Sequence, residues 1–156
     1  MTNNENADRF PSRKNPRIRH YDYSRPNYYF VTICTHDKAC IFGDAGAPNL
    51  YGKIAEQGLW EIENHFAHVV LDKYVIMPNH VHAILILKEG AENLSVILGQ
   101  YKSYVTRQIH LREPERTVWQ TSFHDHVIRD QKGYEKIWLY IESNPVNWQK
   151  DCFYIK

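Results

Sequence analysis

Residues 69–87 read VVLDKYVIMPNHVHAILIL, and this stretch decides the fold. Two apolar runs rich in β-branched residues, Val69 to Ile76 and Val81 to Leu87, flank Met77-Pro78-Asn79-His80. Pro and Asn between two such runs mark a tight turn, so the stretch predicts an antiparallel hairpin. Its second strand starts at Val81 or already at Asn79. On either side the pattern turns helical. Ala55, Leu59, Ile62 and Phe66 recur at helical spacing over 52–67. Leu94, Ile97, Leu98, Tyr101, Tyr104, Val105 and Leu111 make one broad apolar face over 93–111. Further out lie two more strand-like segments, YYFVTICT at 28–35 and VWQTSFHDHVIR at 118–129. Residues 37–49, with Gly43, Gly46 and Pro48, read as a loop, and so does the charged run 112–116. A last helix over 131–144 carries Tyr134, Ile137, Trp138 and Ile141 as its apolar stripe and stops before Pro145, because a residue preceding proline avoids the α region.

The order β-α-β-β-α-β-α predicts an α+β protein. Its first six elements follow the ferredoxin-like order, an antiparallel sheet with packed helices. That fold carries many functions and decides none by itself.

Composition narrows the classes. The 156 residues are 43% hydrophobic and 24% charged, which suits one globular domain with a real core. No apolar run approaches the roughly 20 residues of a membrane helix. The opening Met1-Thr2-Asn3-Asn4-Glu5 lacks the apolar stretch of a secretory signal. Three cysteines, Cys34, Cys40 and Cys152, have no metal-type spacing and fit a reducing cytosol. Charge is uneven. Residues 1–25 hold Arg9, Arg13, Lys14, Arg17, Arg19 and Arg25 against Glu5, Asp8 and Asp22, a net +3, whereas the other 131 residues sum to −2. The chain thus divides into a basic arm at 1–26, a domain at 27–150 and a tail at 151–156. A basic arm on a near-neutral body suits a polyanion, and equally a solvated tail. The eleven tyrosines serve base stacking or core packing alike.

The densest chemical signal is His80-Val81-His82. On a strand, i and i+2 share a face, so both imidazoles project together, at a spacing that lets them share one divalent ion. Surface or hydrogen-bonded core histidines would give the same pattern. On the last helix, Lys136, Tyr140 and Asn144 stand at i, i+4 and i+8 and line one face, off the apolar stripe. That pattern suits a nucleophilic tyrosine between a cation and an amide ligand. It also suits a tyrosine flanking the core and an asparagine closing the helix.

Three ordered motifs now resemble a known family. VIMPNHVHAIL at 75–85 resembles the MPNHxH signature of the HUH single-tyrosine transposases. Trp119-Gln120 followed by HVIRD at 126–130 resembles their WQ…HxIRD segment, and YIESNPV at 140–146 resembles their YIxxNP segment. YDYS at 21–24 and YFVTIC at 29–34 look like the REP-associated tyrosine transposase branch. The likeness spans roughly residues 15–150, and the set of motifs is specific where any one would be weak.

The resemblance implies the HUH endonuclease fold and cutting and rejoining of single-stranded DNA through a 5′-phosphotyrosine. It implies Tyr140 as nucleophile and His80, His82 and Asn144 as metal ligands. Related transposases often have Gln at the last position, and the shorter Asn reaches less far. The implied cofactor is Mg²⁺ or Mn²⁺, with no nucleotide; no GxxxxGK[ST] loop is present. The implied partner is a single-stranded or hairpin DNA, met by Arg13, Lys14, Arg17 and Arg19 of the arm and by Lys102, Arg129 and Lys136. Tyr21 or Tyr23 would stack on unpaired bases. His126 and Arg129 would touch DNA or support the site, or else only hydrogen-bond within the fold. The family contains dimers and monomers, and both stay open here. Rival readings are a domesticated or non-catalytic hairpin-binding protein acting on repeats, an RNA- or DNA-binding module, and a small-molecule metalloenzyme.

Overall fold

A computed structural model describes residues 27–155. The arm at 1–26, with Arg13, Lys14, Arg17, Arg19, Tyr21 and Tyr23, lies outside the described residues.

The elements follow the predicted order: β1 (Asn27–Cys34), the two-residue strands β2 (Gly43–Asp44) and β3 (Ala47–Pro48) within the loop, α1 (Leu50–His65), β4 (Val69–Met77), β5 (His80–Leu87), α2 (Leu94–His110), β6 (His124–Ile128) and α3 (Gln131–Ser143). The main sheet has the order β4-β5-β1-β6, with every neighbour antiparallel. The predicted hairpin is β4–β5, and its second strand starts at His80. Helices α1, α2 and α3 are each capped by a side chain that satisfies a first-turn amide: Asn49 accepts from Gly52, Asn93 from Ser95 and Asp130 from Gly133.

The two faces of the sheet are covered differently. Tyr29, Val31, Ile33, Val81, Ala83, Leu85, Phe123 and Val127 point to one face and pack with Leu59, Ile62, Ile97, Leu98 and Val105 of α1 and α2. Gly58 lets the two helices meet there: a Cβ at that position would lie 2.9 Å from the Tyr101 ring, and the Tyr101 hydroxyl donates to the Ala55 carbonyl at 2.9 Å. The opposite face carries α3. Its apolar contacts are few: Phe30, Ile84 and Ile128 from the sheet meet Ile137 and Ile141, with Val75, Tyr134 and Tyr140 at the edge.

A one-residue β-bulge seats α3. The β4–β5 register jumps between Leu71 and Lys73, leaving Asp72 extra. A bulge changes which residues of a strand face which side. Beyond it Lys73, Val75 and Met77 share a face with Ile84, His82 and His80. Asp72 accepts from the Tyr134 hydroxyl at 2.6 Å, and Lys73 pairs with Glu142 while its ammonium sits 3.9 Å over the Trp138 ring. The carboxylate beside it holds the Tyr134 phenol up at about 12.

Three expectations need correction. The strand predicted over 118–129 is only His124–Ile128. Trp119 makes a single bridge to Thr35, and the chain then turns away, because the Lys102 ammonium takes the carbonyls of Gln120 (2.6 Å) and Ser122 (3.4 Å) that a ladder would use. Trp138 is half-buried under the Lys73 cation and does not enter the core. Leu111 follows the last turn of α2 and is 79% exposed.

Candidate active site

The site is built on the α3 face of the hairpin. His80 and His82 alternate with the core residues Val81 and Ala83, so both imidazoles project toward α3. Their side chains are buried, and the ring centroids are 4.5 Å apart.

Hydrogen bonds fix the ring of His80. Asn79 is 1% exposed, and its amide nitrogen donates to the carbonyls of Lys38 (3.2 Å) and Phe153 (2.7 Å). The amide oxygen must therefore face Nδ1 of His80, which lies 2.8 Å away, and an oxygen can only accept there. Nδ1 carries the hydrogen, and in the neutral ring Nε2 carries the lone pair. His82 is held likewise, with its Nδ1 2.8 Å from the Thr32 hydroxyl. Second partners of this kind orient metal-ligating histidines.

Burial is what keeps the rings neutral. It drives His82 down to about 3, only partly offset by the Val31 backbone. It takes His80 well below the usual histidine range, with His82 adding to the drop and Asn144 opposing it. A neutral imidazole is the form that binds a metal.

α3 brings in the other candidates. Tyr140 is half-buried, its ring 5.4 Å from that of His82 and 6.2 Å from that of Phe30. Asn144, one turn on, is 3% exposed. Nε2 of His80, Nε2 of His82 and Oδ1 of Asn144 are all buried and have no hydrogen-bond partner among the described residues. Buried acceptors without partners are costly, and three of them gathered at one place fit a bound cation.

The chain also supplies a donor that sequence reading missed. Asp151 belongs to the segment read as a tail. Its carboxylate, 1% exposed, stands 3.8 Å from His80 Nε2. One ligand atom each from His80, His82 and Asp151 lie within 4.8 Å of one another. Trp148 and Phe153 flank the carboxylate in sequence, and their rings lie 6.1 and 4.5 Å from that of His80. No spacing or periodicity announces Asp151. The one available signal is the aromatic density of residues 148–154.

The structure therefore brings His80, His82, Tyr140 and Asn144 together. Lys136 and Arg129 are exposed, Lys136 one turn before Tyr140 and Arg129 just past β6. Lys102 does not approach this cluster. Its ammonium holds the 120–122 turn, and it lines a groove with Arg107, His110 and Arg116. His124 lies opposite Thr32 and His126 opposite Phe30 on the edge strand, which puts both on the histidine face of the sheet.

Comparison with known proteins agrees with this architecture. The family described as "Transposase IS200 like" matches residues 23–144. An uncharacterized protein of Haemophilus influenzae is 31% identical over 99% of both chains. The REP-associated tyrosine transposase of Escherichia coli is 33% identical over 82 residues, 51% of this chain and 47% of its own. The structure of a REP-associated tyrosine transposase bound to a REP hairpin superimposes with a TM-score of 0.67 at 22% identity, over 84% of this chain and 73% of that one. Motifs, sheet order and the family match thus converge: the chain belongs to the IS200-like transposase family and has its HUH fold.

Proposed function

We propose that this chain cuts and rejoins single-stranded DNA, with Tyr140 as the nucleophile. The family is one of DNA-cleaving, strand-transferring enzymes. The observation that carries the finer reading is the seat of Tyr140: a tyrosine outside the apolar core of α3, its ring 5.4 Å from a buried neutral histidine pair.

The phenol oxygen of Tyr140 would attack the scissile phosphorus, losing its proton. The bond from phosphorus to the 3′ oxygen breaks, leaving a 5′-phosphotyrosine and a 3′-hydroxyl. A free tyrosine has a pKa near 10, so nearby positive charge must favour the phenolate. Lys136, one helical turn away, is this chain's own candidate. His80, His82 and Asn144 would hold the divalent ion, Mg²⁺ or Mn²⁺, whose charge would offset the negative charge building on the phosphate. Because the covalent link keeps the phosphodiester's energy, another 3′-end can reverse the step without ATP.

The relatives support a substrate class. One relative is solved on a REP hairpin, and we extend a hairpin with a flanking single strand to this chain. Arg13, Lys14, Arg17 and Arg19 would meet its phosphates, and Arg129 and Lys136 would flank the cut strand.

The test mixes the protein with single-stranded hairpin DNA from its own genome and Mn²⁺, then resolves covalent adducts on a denaturing gel. Wild type should give a shifted band that chelation abolishes. Tyr140→Phe should bind the DNA and give no band. An adduct formed by Tyr140→Phe would refute the assignment. Tight hairpin binding without an adduct in wild type would favour a non-catalytic binder of repeats.

A further inference from the structure

Residues 148–154 fold back onto the histidine pair. The Phe153 ring lies 4.5 Å from His80 and 6.1 Å from His82, and the Phe153 carbonyl accepts from Asn79. Between Trp148 and Phe153 the segment inserts Asp151. The two carboxylate oxygens have separate surroundings. Oδ1 accepts from the Phe153 amide at 2.9 Å, closing a local turn, while Oδ2 faces Nε2 of His80 at 3.8 Å.

That second contact is too long for a hydrogen bond. Asn79 holds the Nδ1 edge of His80, so Nε2 is the ring nitrogen that faces the carboxylate. Both side chains are almost fully buried. One ligand atom each from His80, His82 and Asp151 lie within 4.8 Å of one another, a span that a single ion can bridge.

We propose that Asp151 Oδ2 is a ligand of the divalent ion held by His80 and His82, and that docking of residues 148–154 and ion binding are one linked equilibrium. The inference rests on the metal reading given above and extends it to a segment outside the family match at 23–144. A carboxylate adds the negative charge that two imidazoles and an amide lack. It also tilts the donor set toward ions that accept oxygen, Mn²⁺ or Mg²⁺ over softer metals. Because the segment supplies a ligand, the ion holds the segment down and the segment holds the ion.

Asp151→Asn is the sharpest variant, since its amide oxygen can still accept from Phe153 and only the charge and the second oxygen are lost. Mn²⁺ binding is measured calorimetrically on the full chain without DNA, and hydrogen exchange is followed at residues 148–154. Asp151→Asn should weaken Mn²⁺ binding by roughly tenfold or more, since loss of even an outer partner of a ligand costs 10–100-fold. Asp151→Glu should recover part of the loss. Mn²⁺ should slow exchange at 148–154 in wild type and leave it unchanged in Asp151→Asn.

Wild-type affinity in Asp151→Asn, with binding abolished in His82→Ala, would overturn the role of Asp151 and leave the histidine site standing. A lower unfolding temperature with unchanged Mn²⁺ affinity would likewise overturn it, as the mark of a plain ion pair with His80. Equal Mn²⁺ binding by wild type and His82→Ala would bring down the metal reading itself, and the inference with it. Should the variants fail to fold, the wild-type protein still decides. Zn²⁺ should shift the side-chain carboxyl carbon of Asp151 together with the Nε2 resonances of both histidines, and histidine shifts alone would refute the proposal.

Discussion

The two faces of the sheet contrast in what they bury. Under α1 and α2 the buried side chains are almost wholly apolar, from Leu59, Ile97 and Leu98 to Val81 and Leu85. Under α3 the apolar cluster is small, and Thr32, Asn79, His80, His82 and Asn144 share the interior. Apolar burial stabilises by about 25 cal/mol per Å², whereas a buried polar group stabilises only when partnered. The first face therefore holds the fold together. The second keeps buried donors and acceptors in place by leaning on it, and α3 is fastened at its margins by polar contacts from the β4 bulge.

This division predicts a graded set of outcomes in urea unfolding. Leu98→Ala, deep under α2, should lose about 2–5 kcal/mol, and a loss below 1 kcal/mol would break the comparison. Gly58→Ala should cost about 1–3 kcal/mol, because the added methyl meets the rings of Tyr101 and Tyr104 at 2.9 and 3.0 Å. Tyr134→Phe removes the anchor to Asp72 at the margin of α3. It should cost at most about 1 kcal/mol and lower the rate of adduct formation by a larger proportion than it shifts the unfolding midpoint. An unchanged rate would mean that α3 is held by its apolar contacts alone. Thr32→Val combined with His82→Leu removes both partners of a buried hydrogen bond. Such paired removal is close to neutral, so stability should stay within about 1 kcal/mol of wild type while adduct formation is lost. A large destabilisation would show that the histidine face also carries the fold.

Most of this organisation was legible in the sequence, because it rests on local patterns. The hairpin, the apolar faces of the helices, the i and i+2 histidines and the i, i+4, i+8 line of Lys136, Tyr140 and Asn144 each follow from the geometry of one element. What was not legible depends on contacts between distant elements. Lys102 reads as a surface cation, yet the carbonyls of Gln120 and Ser122 claim it. VWQTSFHDHVIR reads as one strand, yet those same bonds break it before His124. Asp151 sits in an irregular segment whose place is set by Asn79 and the histidine rings, and no periodic signal reaches that far. Asp72 reads as one more strand residue, because hydrophobic alternation does not reveal which residue a bulge leaves over.

That extra residue gives the hairpin a tolerance to shortening that its other positions lack. Removing Asp72 would close the bulge: Leu71 would still face Leu85 and Lys73 would still face Ile84, so Val75 and Met77 would stay opposite His82 and His80. A single-codon deletion there should leave a folded protein with its metal ligands in place, and α3 without the carboxylate that accepts from Tyr134. Ala83 of β5 is paired on both sides and has no spare neighbour, so its loss would set the histidines out of phase with Ile84 and Leu85. A deletion scan scored for folding and adduct formation would show this as one permissive codon in an otherwise intolerant hairpin.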